Sequence, residues 1–348
     1  MKIHILYPFK DGPWGGANQF LKAVKEYFIN KESYIENIEE ANIVLFNSSP
    51  SKEFSGFVDI IKKLKIKYPN KIFINRIDGP VFYIRDRNLF IDKAFYKFNN
   101  TICDGTVFQS YWSREKNIYL GMKKNHFETT ILNAPNSEIF NKNGKKFFDK
   151  NEKVKIIATS WSSNIKKGFE VYKWMDENLD FTKYEMTFIG NSPFKFKNII
   201  LKEPMDSETL TSELKRHDIF ITASQSDPCS NSLIEAMHSG LPALGLDDGG
   251  HTEIISRGGE VFKAHGEIPQ KLDLIANNYE EYQNNINLPT IDEVGELYFQ
   301  FLKKIYHEKK ASYNPKNPSF IDYLKIKSFV VLWNFEEKLY AIKRRIFK

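Results

Sequence analysis

The sequence predicts an α/β chain built from two doubly wound, parallel-sheet domains. Short apolar runs alternate with longer stretches of helical periodicity along most of the 348 residues, and that alternation builds parallel sheets flanked by helices. A polar, turn-rich segment, Asn141–Glu152, interrupts the alternation, which then restarts. The length favours two domains over one, and a 41% hydrophobic content supplies core for both.

In the first half, strands are expected at Ile3–Tyr7, Ile43–Phe46, Ile72–Ile77, Gly105–Phe108 and Thr129–Leu132. Helices fit near Ala17–Phe28, Phe54–Lys67, Asn88–Phe98 and Tyr111–Leu120. Asn133-Ala134-Pro135-Asn136 reads as a hinge ahead of the linker. In the second half, strands are expected at Val154–Ala158, Glu185–Ile189, Ile199–Leu201, Ile219–Thr222 and Pro242–Leu246. Helices fit near Lys167–Glu177, Glu208–Arg216, Asn231–Ser239 and Pro269–Asn277, and Thr290–His307 has the apolar spacing of a further helix. The domains are therefore 1–140, a linker 141–152, 153–310, and a basic helical tail 311–348.

Composition excludes several classes. Two cysteines, Cys103 and Cys229, make no disulfide framework and fit a reducing compartment. The N-terminus has too short an apolar stretch for a signal peptide, and no run is long enough to span a bilayer. The expected location is cytoplasmic, with the inner face of a membrane as a peripheral site. The 50 Lys and Arg against 44 Asp and Glu give a net charge of +6. The tail beyond residue 310 holds eight of the basic and three of the acidic residues. No zinc-ligand spacing, helix-turn-helix signal or RNA-recognition motif accompanies this charge, so nucleic acid is not an expected partner.

Within the tail, Leu332, Phe335, Leu339, Ile342 and Ile346 recur at spacings of three and four. Asn334, Lys338, Ala341, Arg344, Arg345 and Lys348 fall on the other face. Such a basic amphipathic helix packs back onto the N-terminal domain or lies on a membrane surface, and the two are compatible.

The most informative stretch is Ala223–Ile255. A buried strand ends in a polar loop, a short helix follows, then a Gly-Leu-Pro turn, a second strand, and a Gly-Gly loop opening another helix. Polar loops that open helices present unpaired N–H groups and the positive end of the helix dipole. Two of them in one β-α-β-α unit cradle a diphosphate, and Glu235, inside the first helix, reaches past the phosphates toward a ribose diol. A nucleotide-sugar site is the expectation.

The same residues carry a family resemblance. Asp227, seven residues, Glu235, then Ala236-Met237-His238-Ser239-Gly240-Leu241-Pro242, then Gly249-Gly250-His251-Thr252-Glu253 resembles the donor-binding signature of the retaining GT-B glycosyltransferases of family 4. The family has Glu where this chain has Asp227. Ala158–Gly168 (ATSWSSNIKKG) is similar to the family's strand–loop–Lys-Gly element, and Ser162 stands where the family often has Arg. The resemblance extends more weakly over roughly residues 1–308. It implies the GT-B architecture of two Rossmann-like domains facing a cleft. It also implies transfer of a sugar, with retained stereochemistry, from a nucleoside-diphosphate donor to a glycan or lipid-linked hydroxyl.

Such a reaction needs charge stabilisation at the leaving diphosphate, by a metal ion or by a cation plus helix N-termini. Asp247-Asp248 is not a convincing metal motif, because neighbouring side chains on a strand diverge. The metal-free solution is expected, with Lys167 as the cation and Lys166 as a second candidate. No cofactor is expected beyond the sugar nucleotide, with a UDP-sugar slightly favoured. On the resemblance, the donor site comprises Gly15, Gly16, Ser160, Lys166, Lys167, Cys229, Ser230, Asn231, Ser232, Glu235, Gly249 and Gly250. Asp227 faces the donor sugar; its alternative role is a helix N-cap. Trp14, Asn75, Arg76 and Asp78 are the acceptor-side candidates, since ligands of open α/β sheets lie beyond the carboxyl ends of the strands. Asp78 would orient the acceptor hydroxyl and Arg76 would bind an anionic group, or the two simply pair to hold their loop. Lys167, Asp227 and Asp78 are the candidate catalytic residues. A sugar-nucleotide epimerase of the same fold and a non-catalytic nucleotide-sugar-binding scaffold are the alternatives.

Overall fold

A computed structural model of the chain describes residues 1–10, 16–48, 50, 53–311, 316 and 318–346. Trp14 and Gly15 lie outside the described residues. The chain divides into two compact units. The first comprises 1–8, 25–131 and 296–348, and the second 9–24 and 132–295. The segments 9–24 and 296–311 thus group with the unit opposite to the one that sequence order suggests.

The first half runs β1 (Ile3–Leu6), α1 (Gly16–Asn30), β2 (Ile43–Ser48), α2 (Phe54–Lys67), β3 (Ile72–Ile77), α3 (Val81–Arg85), α4 (Phe90–Ile102), β4 (Gly105–Phe108), α5 (Tyr111–Tyr119) and β5 (Phe127–Thr130). The five strands form one sheet in the order β1-β2-β3-β4-β5, every pair parallel. β2 and β3 are buried at every position, because helices cover both faces of a parallel sheet and leave no solvent side for polar alternation. On one face Val44, Phe46, Phe73 and Phe108 pack against Phe54 and Val58 of α2 and Phe95 and Phe98 of α4.

The second half runs β6 (Val154–Ser160), a 3-10 turn, α6 (Phe169–Asn178), β7 (Tyr184–Gly190), β8 (Ile200–Lys202), α7 (Ser207–Arg216), β9 (Ile219–Thr222), α8 (Asn231–His238), β10 (Ala243–Leu246), α9 (His251–Ile255), β11 (Gly259–Phe262), α10 (Ile268–Asn277), α11 (Tyr279–Asn284), α12 (Ile291–Ala311) and α13 (Phe320–Ile346). Its sheet has the order β11-β10-β9-β6-β7-β8, again all parallel. The chain builds outward from β6 through β7 and β8, then returns to place β9 on the other side of β6. The β6/β9 boundary is therefore the topological switch point, where the loops leaving two adjacent strands diverge and open a crevice.

α12 and α13 belong to the first unit from residue 296 onward. The tail packs there, with a different face from the one its spacing suggested. Tyr323, Ile326, Val330 and Trp333 are the buried side chains, seated in the core with α4. Leu332, Phe335, Leu339 and Ile342 are exposed. Spacing located a helix with an apolar face; α13 has two, and contact with α4 selected the other. Among the described residues no helix is long and apolar enough to cross a membrane.

Candidate active site

A pocket of about 380 Å³ opens at the carboxyl ends of β6 and β9, in the crevice of the second unit. That volume lies in the range of small-molecule sites, about 300–1,000 Å³. Thr159, Ser160, Trp161 and Ser162 come from the end of β6, Ser224 and Asp227 from the loop after β9, and Ser230, Asn231, Ser232 and Glu235 from the start of α8. Lys167, Gly16 and Cys229 join them; of these residues Thr159, Trp161, Ser162 and Ser224 were not among the site residues expected from sequence.

Lys167 is placed by the loop that opens α6. Asn164 starts a 3-10 turn by accepting from the Lys166 amide at 3.1 Å. Gly168 then ends it with φ +84°. A Cβ on Gly168 would sit 2.3 Å from the Ala223 carbonyl oxygen, so the Lys-Gly pair exists because only glycine allows α6 to start this close to the end of β9. Gly168→Ala is expected to lower stability by about 3 kcal/mol or more, read by urea unfolding. An unchanged midpoint would refute the close-approach argument. Lys166 serves through its backbone, its carbonyl accepting from Gln225 N at 2.7 Å, and is not among the residues of the pocket wall.

Lys167 Nζ lies 2.8 Å from Asp227 Oδ2. Asp227 Oδ1 accepts from the Cys229 amide at 3.3 Å. Burial pushes the Asp227 carboxyl up, but the charges of Lys167 and His251, with the hydrogen bonds from Lys167 and the Cys229 amide, more than offset it and hold it below its ordinary value. The loop carrying Asp227 is clamped from behind. Asp248 accepts from Ser226 N at 2.8 Å and from Gly249 N at 2.7 Å, and Gly250 N donates to the Asp227 carbonyl at 2.9 Å. A Cβ on Gly249 would meet that carbonyl at 2.2 Å. The structure places Gly249 and Gly250, expected at the donor, behind the loop that carries Asp227. Neither lines the pocket, and the Gly250 amide is already engaged in fixing Asp227.

α8 points its first turn into the pocket. Ser230 is its N-cap residue and makes no side-chain cap bond; its hydroxyl pairs with Ser232 Oγ at 3.2 Å. The first-turn amides have no intrahelical acceptor and offer donors and a positive dipole end to an anion. Asn231 is tied to Asn133 Nδ2 at 2.8 Å. Glu235 stands one turn further along. No described residue gives its carboxylate a cation or hydrogen bond, and removal from water pushes it up to about 8. Such a carboxylate is able to accept hydrogen bonds from a ligand.

The first unit holds a separate polar cluster at the carboxyl ends of β2, β3 and β4. The buried Arg76 guanidinium donates from Nη1 to Asn47 Oδ1 at 2.5 Å and to Asp78 Oδ1 at 3.0 Å, and from Nη2 to Gln109 Oε1 at 2.8 Å. Gln109 also donates to Asp78, and the Asp78 carbonyl accepts from Ser113 and Asn117. Of the two roles weighed for Arg76 and Asp78, the geometry displays the pair that holds the loop. Asn75 is corrected outright: it is fully buried, accepting from Ser48 Oγ at 2.8 Å and donating to Asn99 at 3.2 Å, and is not presented to an acceptor.

Sequence reasoning missed Gly190, Pro204, Met205, Ser207 and Leu210, which line the same pocket. The end of β7 was findable from the carboxyl-end rule; the 204–210 segment carried no motif. His251 was missed too. Its Nδ1–H donates to the Leu246 carbonyl at 2.9 Å and its Nε2 is buried without a partner among the described residues. Burial lowers its pKa, against the opposing charge of Asp227. Among the described residues no three His, Cys, Asp or Glu side chains converge as a metal site.

Residues 145–287 match the family described as Glycosyl transferases group 1. That segment contains every pocket residue named above except Gly16. None of the curated proteins matches the sequence. Solved structures do. HepE of Anabaena in complex with UDP matches with a TM-score of 0.62 at 11% identity, over 90% of this chain and 100% of that one. Sucrose-phosphate synthase from Thermosynechococcus elongatus matches with a TM-score of 0.60 at 12% identity, over 88% and 99%. The apo lipopolysaccharide outer core galactosyltransferase WaaB matches with a TM-score of 0.57 at 12% identity, over 89% and 98%. At these identities the likeness is one of fold, two parallel-sheet Rossmann-like domains of GT-B type.

Proposed function

We propose that this chain is a retaining glycosyltransferase that moves a hexose from a nucleoside-diphosphate donor to a hydroxyl of a glycan or lipid-linked acceptor, without a metal ion. The observation that carries the proposal is the arrangement of Lys167, the α8 N-terminus and Glu235, which has no partner among the described residues, around one pocket at the switch point. The family match over residues 145–287 supports it. HepE, which shares the fold, binds UDP, and on that ground UDP is the favoured nucleotide.

In this mechanism Glu235 accepts hydrogen bonds from the two ribose hydroxyls. The diphosphate lies over the first turn of α8, where Ser230, Asn231 and Ser232 offer donors. Lys167 turns from Asp227 to the β-phosphate. The bond from the anomeric carbon to the β-phosphate oxygen breaks as the acceptor oxygen bonds the same carbon from the same face. The acceptor proton passes to the departing phosphate oxygen. Lys167 and the α8 dipole stabilise the charge that develops there, the largest share of catalysis in reactions of this kind. Asp227, released from Lys167, faces the donor sugar and orients its hydroxyls. Asp78, held by Arg76 and Gln109, is assigned to the acceptor.

The test is calorimetric titration with UDP, GDP, ADP and CMP, with and without Mg²⁺. One nucleoside diphosphate is expected to bind saturably, with the same affinity in both conditions. Failure of all four to bind would overturn the donor site; binding without transfer to any sugar acceptor would favour a non-catalytic scaffold.

A further inference from the structure

α13 has two apolar faces and only one of them is covered. The helix spans 27 residues, about 40 Å of length. Tyr323, Ile326, Val330 and Trp333 enter the core of the first unit. At about 100° per residue, the opposite line of the helix carries Ile321, Leu324, Ser328, Val331, Phe335, Leu339 and Ile342. The six apolar members of that line are between 45% and 66% exposed. A solvent-facing helix side is normally polar, and exposed apolar continuity on this scale marks an interaction surface.

The charges on α13 are sorted about that line. Its three acids are turned to the protein: Asp322 pairs with Lys97 at 2.6 Å, Glu337 with Arg87 at 2.6 Å, and Glu336 is buried and accepts from Asn88 N at 2.8 Å. Lys338 flanks the apolar line on one edge, and Lys325 and Lys343 flank it on the other. Among the described residues none of these three lysines pairs with a carboxylate. The outward side is thus a straight apolar strip with cationic margins.

We propose that this strip lays the protein on an anionic lipid bilayer, with the six apolar side chains at the headgroup–acyl boundary and Lys325, Lys338 and Lys343 on lipid phosphates. Charge complementarity selects this occupant. A second copy would bring the lysine margins of two helices together, and Ser328 interrupts the seam that such a pair would need. A bilayer supplies anions on both sides of an apolar strip and demands no shape complementarity. With no described helix able to span, the protein would lie on the membrane. The inference rests on α13 alone and is independent of the transfer chemistry.

Flotation of the full chain with two kinds of vesicle tests it: phosphatidylcholine alone, and phosphatidylcholine with about one phosphatidylglycerol in three lipids. The wild type is expected to float with the anionic vesicles only. The triple variant Val331→Asp, Phe335→Asp, Leu339→Asp should lose at least about tenfold in partitioning, with an unchanged melting temperature because the sites are exposed. The variant Lys325→Glu, Lys338→Glu, Lys343→Glu, which removes no apolar contact, should lose a similar factor. Absence of wild-type binding at low salt would overturn the proposal. So would equal binding by the lysine variant. A wild-type dimer that the aspartate variant dissociates would assign the strip to a second copy and equally overturn it.

Discussion

Glu235→Gln is expected to weaken nucleotide binding by about a hundredfold or more and, at pH 9, to make the protein more stable. Both follow from one fact: the carboxylate has no partner among the described residues, and partial desolvation in the pocket wall pushes it up to about 8. In the proposed complex it accepts two ribose hydroxyls, and hydrogen bonds to a charged group are worth about 1.5–3 kcal/mol each. The amide of Gln offers one oxygen and no charge. The stability effect has a definite sign. In the unfolded chain this carboxyl ionises near its ordinary 4.5, while in the folded protein it holds its proton to about 8. Its unfavourable contribution is therefore absent below pH 4.5, grows between the two values, and is complete above 8. Gln carries no such cost, so the melting-temperature gap between variant and wild type should open as pH rises through that window. A gap that does not change with pH would show that the carboxyl is not perturbed. Binding should carry the mirror image. The wild-type Kd should rise about tenfold per pH unit below 8, because the proton must leave before the ribose can bind, and Glu235→Gln should lack that component.

Asp227→Asn is expected to separate binding from turnover. In the free protein Asp227 pairs with Lys167 at 2.8 Å, and proximity to the Lys167 charge helps hold its carboxylate ionised. A diphosphate entering the pocket must compete for that lysine and approach that carboxylate. Asparagine removes both obstacles, so the nucleoside diphosphate should bind about three- to tenfold tighter. Transfer should nonetheless slow by about a hundredfold, because the charged contact to the donor sugar is lost. Lys167→Ala should do the opposite on the first count, weakening binding, and should slow turnover by about 10²–10³. Titration and initial rates on the two variants check both signs. If Asp227→Asn and Lys167→Ala both weakened nucleotide binding alike, the pair would be a fixed structural bridge and Lys167 would not be the phosphate cation.

The two parallel sheets were legible because buried parallel strands leave a one-dimensional trace: Ile72–Ile77 is apolar or interior-bonded at every position and has the same bounds in the structure. β11 was not anticipated, since Gly259–Phe262 is short and lies outside any long apolar run. At the site, the residue types at Lys167, Asp227 and Glu235 were legible from motif spacing. The tasks of Gly249 and Gly250 were not. Glycine in a loop signals close approach without saying to what, and here the neighbour is the Asp227 carbonyl. Asn75 misled for a related reason. A polar residue near a strand end looks available, but in an alternating strand its direction is set by the layers above and below, and it bonds Ser48 and Asn99 instead.

By itself the sequence determined the α/β class, the parallel strands, the two-part organisation, and the order of acid, helix and glycines in the 223–255 stretch, because these depend on local periodicity and on residue types at fixed spacing. Tertiary structure alone decided three things. It set the strand order that puts β9 beside β6 and so opens the pocket. It chose which of α13's two apolar faces is covered. It engaged Lys167 with Asp227 while leaving Glu235 without a partner among the described residues. Each depends on which segments, distant in sequence, come within hydrogen-bond or van der Waals reach, and no local pattern encodes that distance.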